Sequence, residues 1–276
     1  MIEIKKVTKK YGNNIAVNNV SFKVGDGEIF AFIGHNGAGK TTLIKCITGI
    51  QEFDSGSILI NGKSIKNNPV ECKKEMAFVP DNPELYEQMK AIDYINFICD
   101  MYEVSESDRT ERIIKYSKLF EMDDNLNDII ESYSHGMKQK IALICALVHE
   151  PKVLIMDEPF VGLDPKAVFD VKEIMKELTK KGTTIFFSTH ILEVAEKLCS
   201  RVGIIKKGEL VSVGTMKEVK GDKSLESVFL ELEDNTITPF IYIHHFTREL
   251  FSYFMNSFKS FFLNLHNTFK MLFWDN

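Results

Sequence analysis

Residues Gly34-His35-Asn36-Gly37-Ala38-Gly39-Lys40-Thr41 fit the pattern G-x-x-x-x-G-K-[ST], and no other stretch constrains the fold as strongly. The pattern requires a buried strand before it and a helix after it. Both flanks comply: Glu28-Ile29-Phe30-Ala31-Phe32-Ile33 is almost wholly apolar, as a strand covered on both faces must be, and Thr42-Leu43-Ile44-Lys45 favours helix. Glycines let such a loop curl until successive N–H groups converge on phosphate oxygens, and the helix N-terminus adds partial positive charge. Asn36, Gly37, Ala38, Gly39 and Thr42 then line a phosphate cradle. Lys40 is placed to reach the β and γ phosphates of a nucleotide, and the Thr41 hydroxyl to ligate Mg²⁺.

The remaining pattern supplies a sheet for that loop. Strand-like Val153-Leu154-Ile155-Met156 and Thr184-Ile185-Phe186-Phe187 alternate with helix-like Lys166 to Lys180 and Ile191 to Leu198, which predicts a mostly parallel sheet covered by helices. Short β-rich stretches before Gly27 and a hairpin around Asn61-Gly62 predict a small antiparallel subdomain at the N-terminus. Between about residues 82 and 150 the period turns helical, with Ile92, Ile95 and Cys99 on one stretch and Ile113, Tyr116 and Phe120 on the next. The fold class expected is therefore α/β, with an inserted α-helical subdomain. Asp157-Glu158 closes the strand from Val153, and the carboxyl ends of strands in an open α/β sheet face the ligand crevice. Asp157 is placed to hold Mg²⁺, directly or through water, and Glu158 to orient and deprotonate an attacking water.

Composition narrows the partners. With 34 Lys and Arg against 39 Asp and Glu the net charge is −5, which argues against a general polyanion-binding surface, so no nucleic-acid partner is expected. The five cysteines, Cys46, Cys72, Cys99, Cys145 and Cys199, are scattered and form no C-x-x-C pair, so a disulfide framework or zinc site is not expected and a reducing compartment is favoured. The N-terminal residues lack the apolar core of a secretory signal, and the longest apolar run, Ile141 to Val148, is far short of the ~20 residues a membrane-crossing helix needs. Any work at a membrane is expected to be done from its side.

In this order the motifs resemble the ATP-binding subunit of ATP-binding-cassette (ABC) transporters over residues 1–233. Tyr133-Ser134-His135-Gly136-Met137-Lys138-Gln139 resembles that family's signature loop, although alone it reads as an ordinary helix start. Tyr11 resembles the aromatic that stacks on adenine, Gly162-Leu163-Asp164 the family's D-loop, and Ser188-Thr189-His190 its switch-histidine strand end. Taken singly, Tyr11 also reads as a half-buried strand residue, Asp164 as a helix cap and His190 as a helix-start histidine. The resemblance implies a P-loop ATPase using ATP and Mg²⁺, two protomers meeting head to tail, and each ATP held between one phosphate loop and the other protomer's signature loop. Ser134 and Gly136 would then serve the partner's γ-phosphate, while His190 would sense the γ-phosphate on its own side.

Two departures from the family stand out. The glutamine expected after Met76-Ala77-Phe78-Val79-Pro80 is Asp81, which could still hold a Mg²⁺-bound water but adds negative charge. The signature loop carries His135 and Met137 where the family has glycine and glutamine. Variation there and the segment Asn82-Pro83-Glu84-Leu85-Tyr86 resemble the antibiotic, lantibiotic and sodium export group. The resemblance therefore implies an exporter driving separate transmembrane permease subunits from the cytoplasmic face of the membrane, in a homo- or heterodimer. The alternative is a soluble ABC ATPase of cofactor assembly or DNA maintenance.

The family resemblance ends near Glu233. Nine of the 21 phenylalanines fall in the last 37 residues. Within 234–276, apolar residues recur at Leu250, Phe254, Phe258, Phe261, Leu265, Phe269 and Leu272, the spacing of a one-sided helix. Such a tail can pack on its own domain or a second protomer, lie in a membrane interface, or dock on a permease.

Overall fold

A computed structural model describes residues 1–233 of the chain. The N-terminal strands β1 (Ile2–Tyr11) and β2 (Asn14–Val24) pair antiparallel and lead into β3 (Ile29–Ile33) and helix α1 (Lys40–Ile47). Next comes the hairpin of β4 (Ser55–Ile60) and β5 (Lys63–Ser64). Its turn residues Asn61 and Gly62 have φ of 49° and 81°, the pair of positive values that a tight hairpin matched to strand twist requires. Helix α2 (Pro69–Lys74) precedes β6 (Met76–Val79).

The helical insertion follows as α3 (Ala91–Met101), α4 (Glu106–Leu119) and α5 (His135–Leu147), inside the span its periodicity predicts. Its apolar stripe is buried at Ile95, Cys99, Ile113, Tyr116 and Phe120. The chain then alternates through β7 (Val153–Asp157), α6 (Pro165–Lys180), β8 (Thr184–Thr189), α7 (Leu192–Leu198) and β9 (Arg201–Lys206). It closes with β10 (Glu209–Thr215), α8 (Met216–Lys220) and α9 (Leu225–Glu233).

Two sheets result, one ordered β2-β1-β4-β5 and one ordered β10-β9-β3-β8-β7-β6. In the larger sheet every neighbouring pair is parallel except β10 with β9, so its central strands need cover on both faces. Accordingly β3, β7 and β8 are buried at every residue. Phe22 of β2 stacks on Phe30 at 5.2 Å and on Phe186 at 5.9 Å between ring centroids, which joins the antiparallel sheet to the parallel one. Helix α1 packs against strands of both sheets and buries Leu43, Ile44, Cys46 and Ile47.

Register decides where the chemistry falls. Ile33 pairs with Thr189 and Asp157 with Ser188, so β3, β8 and β7 end level with one another. The loops leaving those ends carry the phosphate loop, Glu158 and His190 along one edge. The chain divides into two units, Met1–Phe229 and Leu230–Asn276, and the apolar periodicity read for 234–276 lies outside the described residues. Among the described residues no helix is long and apolar enough to cross a membrane.

Candidate functional site

The phosphate loop is shaped by what it touches. Gly39 caps α1 with φ 107°, and a Cβ there would stand 2.4 Å from the carbonyl oxygen of Ala16, so only glycine fits. The next residue, Lys40, is 6 % exposed. Its Nζ donates to the carbonyls of Gly34 at 2.7 Å and His35 at 3.3 Å, and it lies 3.3 Å from Glu158 Oε1. A buried ammonium needs such partners, and a polyphosphate placed over the loop would compete for it. Thr41 is exposed and Thr42 half-buried at the open end of α1.

Asp157 and Glu158 are set by β7 and β8 together. Asp157 is 2 % exposed, and its Oδ1 accepts a hydrogen bond from the Ser188 hydroxyl opposite it in register. That same hydroxyl accepts from the Glu158 N–H at 3.1 Å. Glu158 adopts φ 47°, a left-handed conformation that costs a non-glycine residue about 1–2 kcal/mol and tends to persist where function needs it. There its Oε2 accepts from the His190 N–H at 3.2 Å and lies 2.9 Å from His190 Nδ1. Ser188 opens the Ser188-Thr189-His190 segment, whose signal was read for the histidine; the serine's own role, joining Asp157 to Glu158, emerges only from register.

Lys40 and Glu158 open into a cleft of about 790 Å³ lined also by Tyr11, Asn36, Gly37, Gly39, Thr41, Thr42 and Asp81, with Ala16 and Lys207 among the residues the motifs did not flag. Ala38, Asp157 and His190 do not line it. Tyr11 is 46 % exposed, and the Lys9 ammonium stands 5.1 Å from its ring centroid. Asp81 faces the cleft with its carboxyl pushed above the usual range, first by partial desolvation and then by the charges of Asp157 and Glu158. Thr41, Asp157 and Asp81 offer hard oxygen donors, a set that suits Mg²⁺ held by one or two carboxylates together with substrate phosphates. The arrangement can grip a polyphosphate at one end, an aromatic base at the other, and present a carboxylate to a water between them.

Ser134, Gly136 and Asp164 do not line this cleft. They gather at a second place. Ser134 caps α5, its hydroxyl accepting from the Met137 N–H at 3.3 Å. A Cβ on Gly136 would stand 2.7 Å from the Gly162 carbonyl, and one on Gly162, at φ 77°, would meet the His135 ring at 2.6 Å. Asp164 caps α6 by accepting from the Ala167 N–H at 2.9 Å and pairs with Lys140 Nζ at 2.9 Å. Those two partners, the N–H first, hold its carboxyl below the usual range. The start of α5 and the segment before α6 thus form one packed surface.

Comparison with known proteins gives a consistent picture. The family described as ABC transporter matches residues 17–161. The ABC-type transporter ATP-binding protein EcsA of Bacillus subtilis (strain 168) is 35 % identical over 237 residues, covering 84 % of this chain and 96 % of EcsA. The linearmycin resistance ATP-binding protein LnrL of the same organism is 35 % identical over 219 residues, covering 79 % of this chain and 70 % of LnrL. Among solved structures, the dimeric post-hydrolysis state of the ATP-binding cassette MJ0796 bound to ADP and Pi superposes with a TM-score of 0.71 at 25 % identity, covering 78 % of this chain and 99 % of that one.

Proposed function

Since this chain belongs to the ABC transporter ATP-binding family, and is an ATPase cassette of the kind that dimerises, we propose that it is the motor of an exporter whose transmembrane subunits are separate chains. The observation that carries the mechanism is the contact of Glu158 with both Lys40 and His190. ATP laid across the cleft would set its base on Tyr11 and its phosphates over Asn36 to Thr42. Lys40 would then exchange Glu158 and two loop carbonyls for the β and γ phosphates, because charge-assisted bonds to phosphate outweigh those to neutral carbonyls. Glu158, released on one side and still held by His190 on the other, would accept a proton from the attacking water.

Thr41 and Asp157 would hold Mg²⁺, with Asp81 reaching it through water. The ion would neutralise charge building on the phosphates. Ser134, Gly136 and Asp164 would complete the site of a second protomer, a reading supported by their gathering on a separate surface at the start of α5 and before α6. ATP would hold two such surfaces together, and loss of the γ-phosphate would release them.

Export is supported by the resistance function in the name of LnrL, and a partner chain by EcsA, a transporter ATP-binding protein 96 % of whose own length the match covers. The exposed side chains of Tyr86, Phe97 and Met101 on and before α3 give such a partner an apolar landing. The protein would then sit on the cytoplasmic face of the membrane through that partner. Affinity purification of the full chain from its native cells in mild detergent, with mass spectrometry, tests this. A stoichiometric polytopic membrane protein is expected; soluble partners alone would favour an ABC ATPase of cofactor assembly or DNA maintenance.

A further inference from the structure

The turn between β9 and β10 reaches the nucleotide cleft, and the mechanism above gives it no part. Lys207 and Gly208 form this turn, and both line the cleft beside Tyr11, Asn14 and Ala16. The Gly208 N–H donates to the Ala38 carbonyl of the phosphate loop at 2.9 Å, and the Gly208 carbonyl accepts from the Asn18 N–H of β2 at 2.8 Å. A Cβ on Gly208 would lie 2.9 Å from the Ala16 carbonyl oxygen, the same oxygen that excludes a side chain from Gly39. Phosphate loop, β2 and turn therefore meet at one carbonyl with no space for a substituent. Backbone contacts fix where the turn stands, so the Lys207 side chain is not needed to hold it there.

Lys207 nevertheless sits at φ 49°, in the left-handed region that favours glycine or asparagine. Its side chain is exposed. Among the described residues, the acidic groups lining the cleft are Asp81 and Glu158, and the ammonium groups are Lys40 and Lys207. Lys40 is deep in the phosphate loop and already bonded to two of its carbonyls. Lys207 is carried on a turn tied at Gly208 both to Ala38 of the phosphate loop and to Asn18 of β2, between the loop that holds Lys40 and the Tyr11–Asn14 hairpin.

A nucleotide stretched from Tyr11 to Lys40 carries its α-phosphate near the nucleoside end. We propose that Lys207 is a nucleotide-binding residue whose ammonium contacts the α-phosphate of bound ATP or ADP, an inference that rests on reading this cleft as the nucleotide site. The turn is held by its backbone, which leaves the Lys207 ammonium to make a charge-assisted contact with a phosphate in the cleft it lines.

The test is titration calorimetry of the full-length protein with MgATP and MgADP. Lys207→Gly suits the turn's backbone while removing the charge, so it keeps the fold. It should weaken both nucleotides by a similar factor, roughly three- to tenfold, and Lys207→Arg should restore most of the loss. Affinities for both nucleotides unchanged by Lys207→Gly, or a loss confined to ATP, would overturn the assignment. Lys40→Ala measured in parallel separates the two claims: unchanged ATP binding by that variant would reject the cleft itself, whatever Lys207 does. Thermal unfolding of Lys207→Gly at or above the wild-type midpoint confirms that any lost affinity is not lost structure.

Discussion

One carboxylate oxygen of Glu158 is held by two groups of His190, its main-chain N–H at 3.2 Å and its ring Nδ1 at 2.9 Å. Removing the ring leaves the N–H in place, so Glu158 stays near its position but loses its orientation. His190→Ala should therefore lower ATP turnover by roughly 100-fold, in the range that general-base positioning contributes. Nucleotide affinity should change far less. Steady-state kinetics with a binding titration checks this; equal losses in both would mean that the ring binds nucleotide rather than orients the base.

The surface built from α5 and the segment before α6 makes a separate prediction. Gly162→Ala places a methyl 2.6 Å from the His135 ring and forces alanine to φ 77°. Clash and backbone strain together should destabilise the fold by about 1–3 kcal/mol. In a His135→Ala background the clash disappears and only the strain remains, so the penalty should shrink. Denaturant unfolding of the four proteins in a double-mutant cycle measures that coupling.

His149 makes stability depend on pH. Its ring stacks on Tyr102 with centroids 3.7 Å apart, and its Nδ1 lies 3.3 Å from the Cys145 carbonyl. Burial pushes the imidazole below its ordinary 6.5, against a smaller opposing pull from that carbonyl. The unfolded chain then binds more protons than the folded one once pH falls below the ordinary value, so acid should weaken the fold in that window. Urea unfolding between about pH 7.5 and 5.5 should show this slope, and His149→Gln should flatten it. An identical slope in the variant would remove His149 as its source.

Deleting Thr236 to Asn276 should leave MgATP affinity at the wild-type value, because the described residues lining the nucleotide cleft, up to Gly208, supply the phosphate loop, the aromatic and the carboxylates by themselves. Calorimetry on the truncated chain checks it. Lost binding would make the tail part of the cassette.

Local chemistry made much of this legible. The phosphate loop, the Asn61-Gly62 turn and the buried strand before Asp157 each declare themselves within a few residues, because backbone conformation and burial are written locally there. The roles of Ser188, Lys140 and Ala16 were not legible. Ser188 matters through its register with Asp157, Lys140 through an ion pair to Asp164 at the start of another helix, and Ala16 through a carbonyl that two distant glycines must approach. Such roles depend on pairings between segments far apart in the chain, and no local pattern encodes them. Asp81 lies between the two cases: its position was readable, but the partial burial that chiefly pushes its carboxyl up, and the charges of Asp157 and Glu158 that add to it, come from the folded surroundings.

The central claim is that the Lys40–Glu158 cleft of one protomer closes on the Ser134–Gly136 surface of another with ATP between them. Glu158→Gln keeps the shape of the side chain and removes the base, so bound ATP should persist. Size-exclusion chromatography with light scattering in saturating MgATP should then give twice the 31.6 kDa of one chain. A mass of one chain under those conditions, with ATP binding confirmed, would contradict the account.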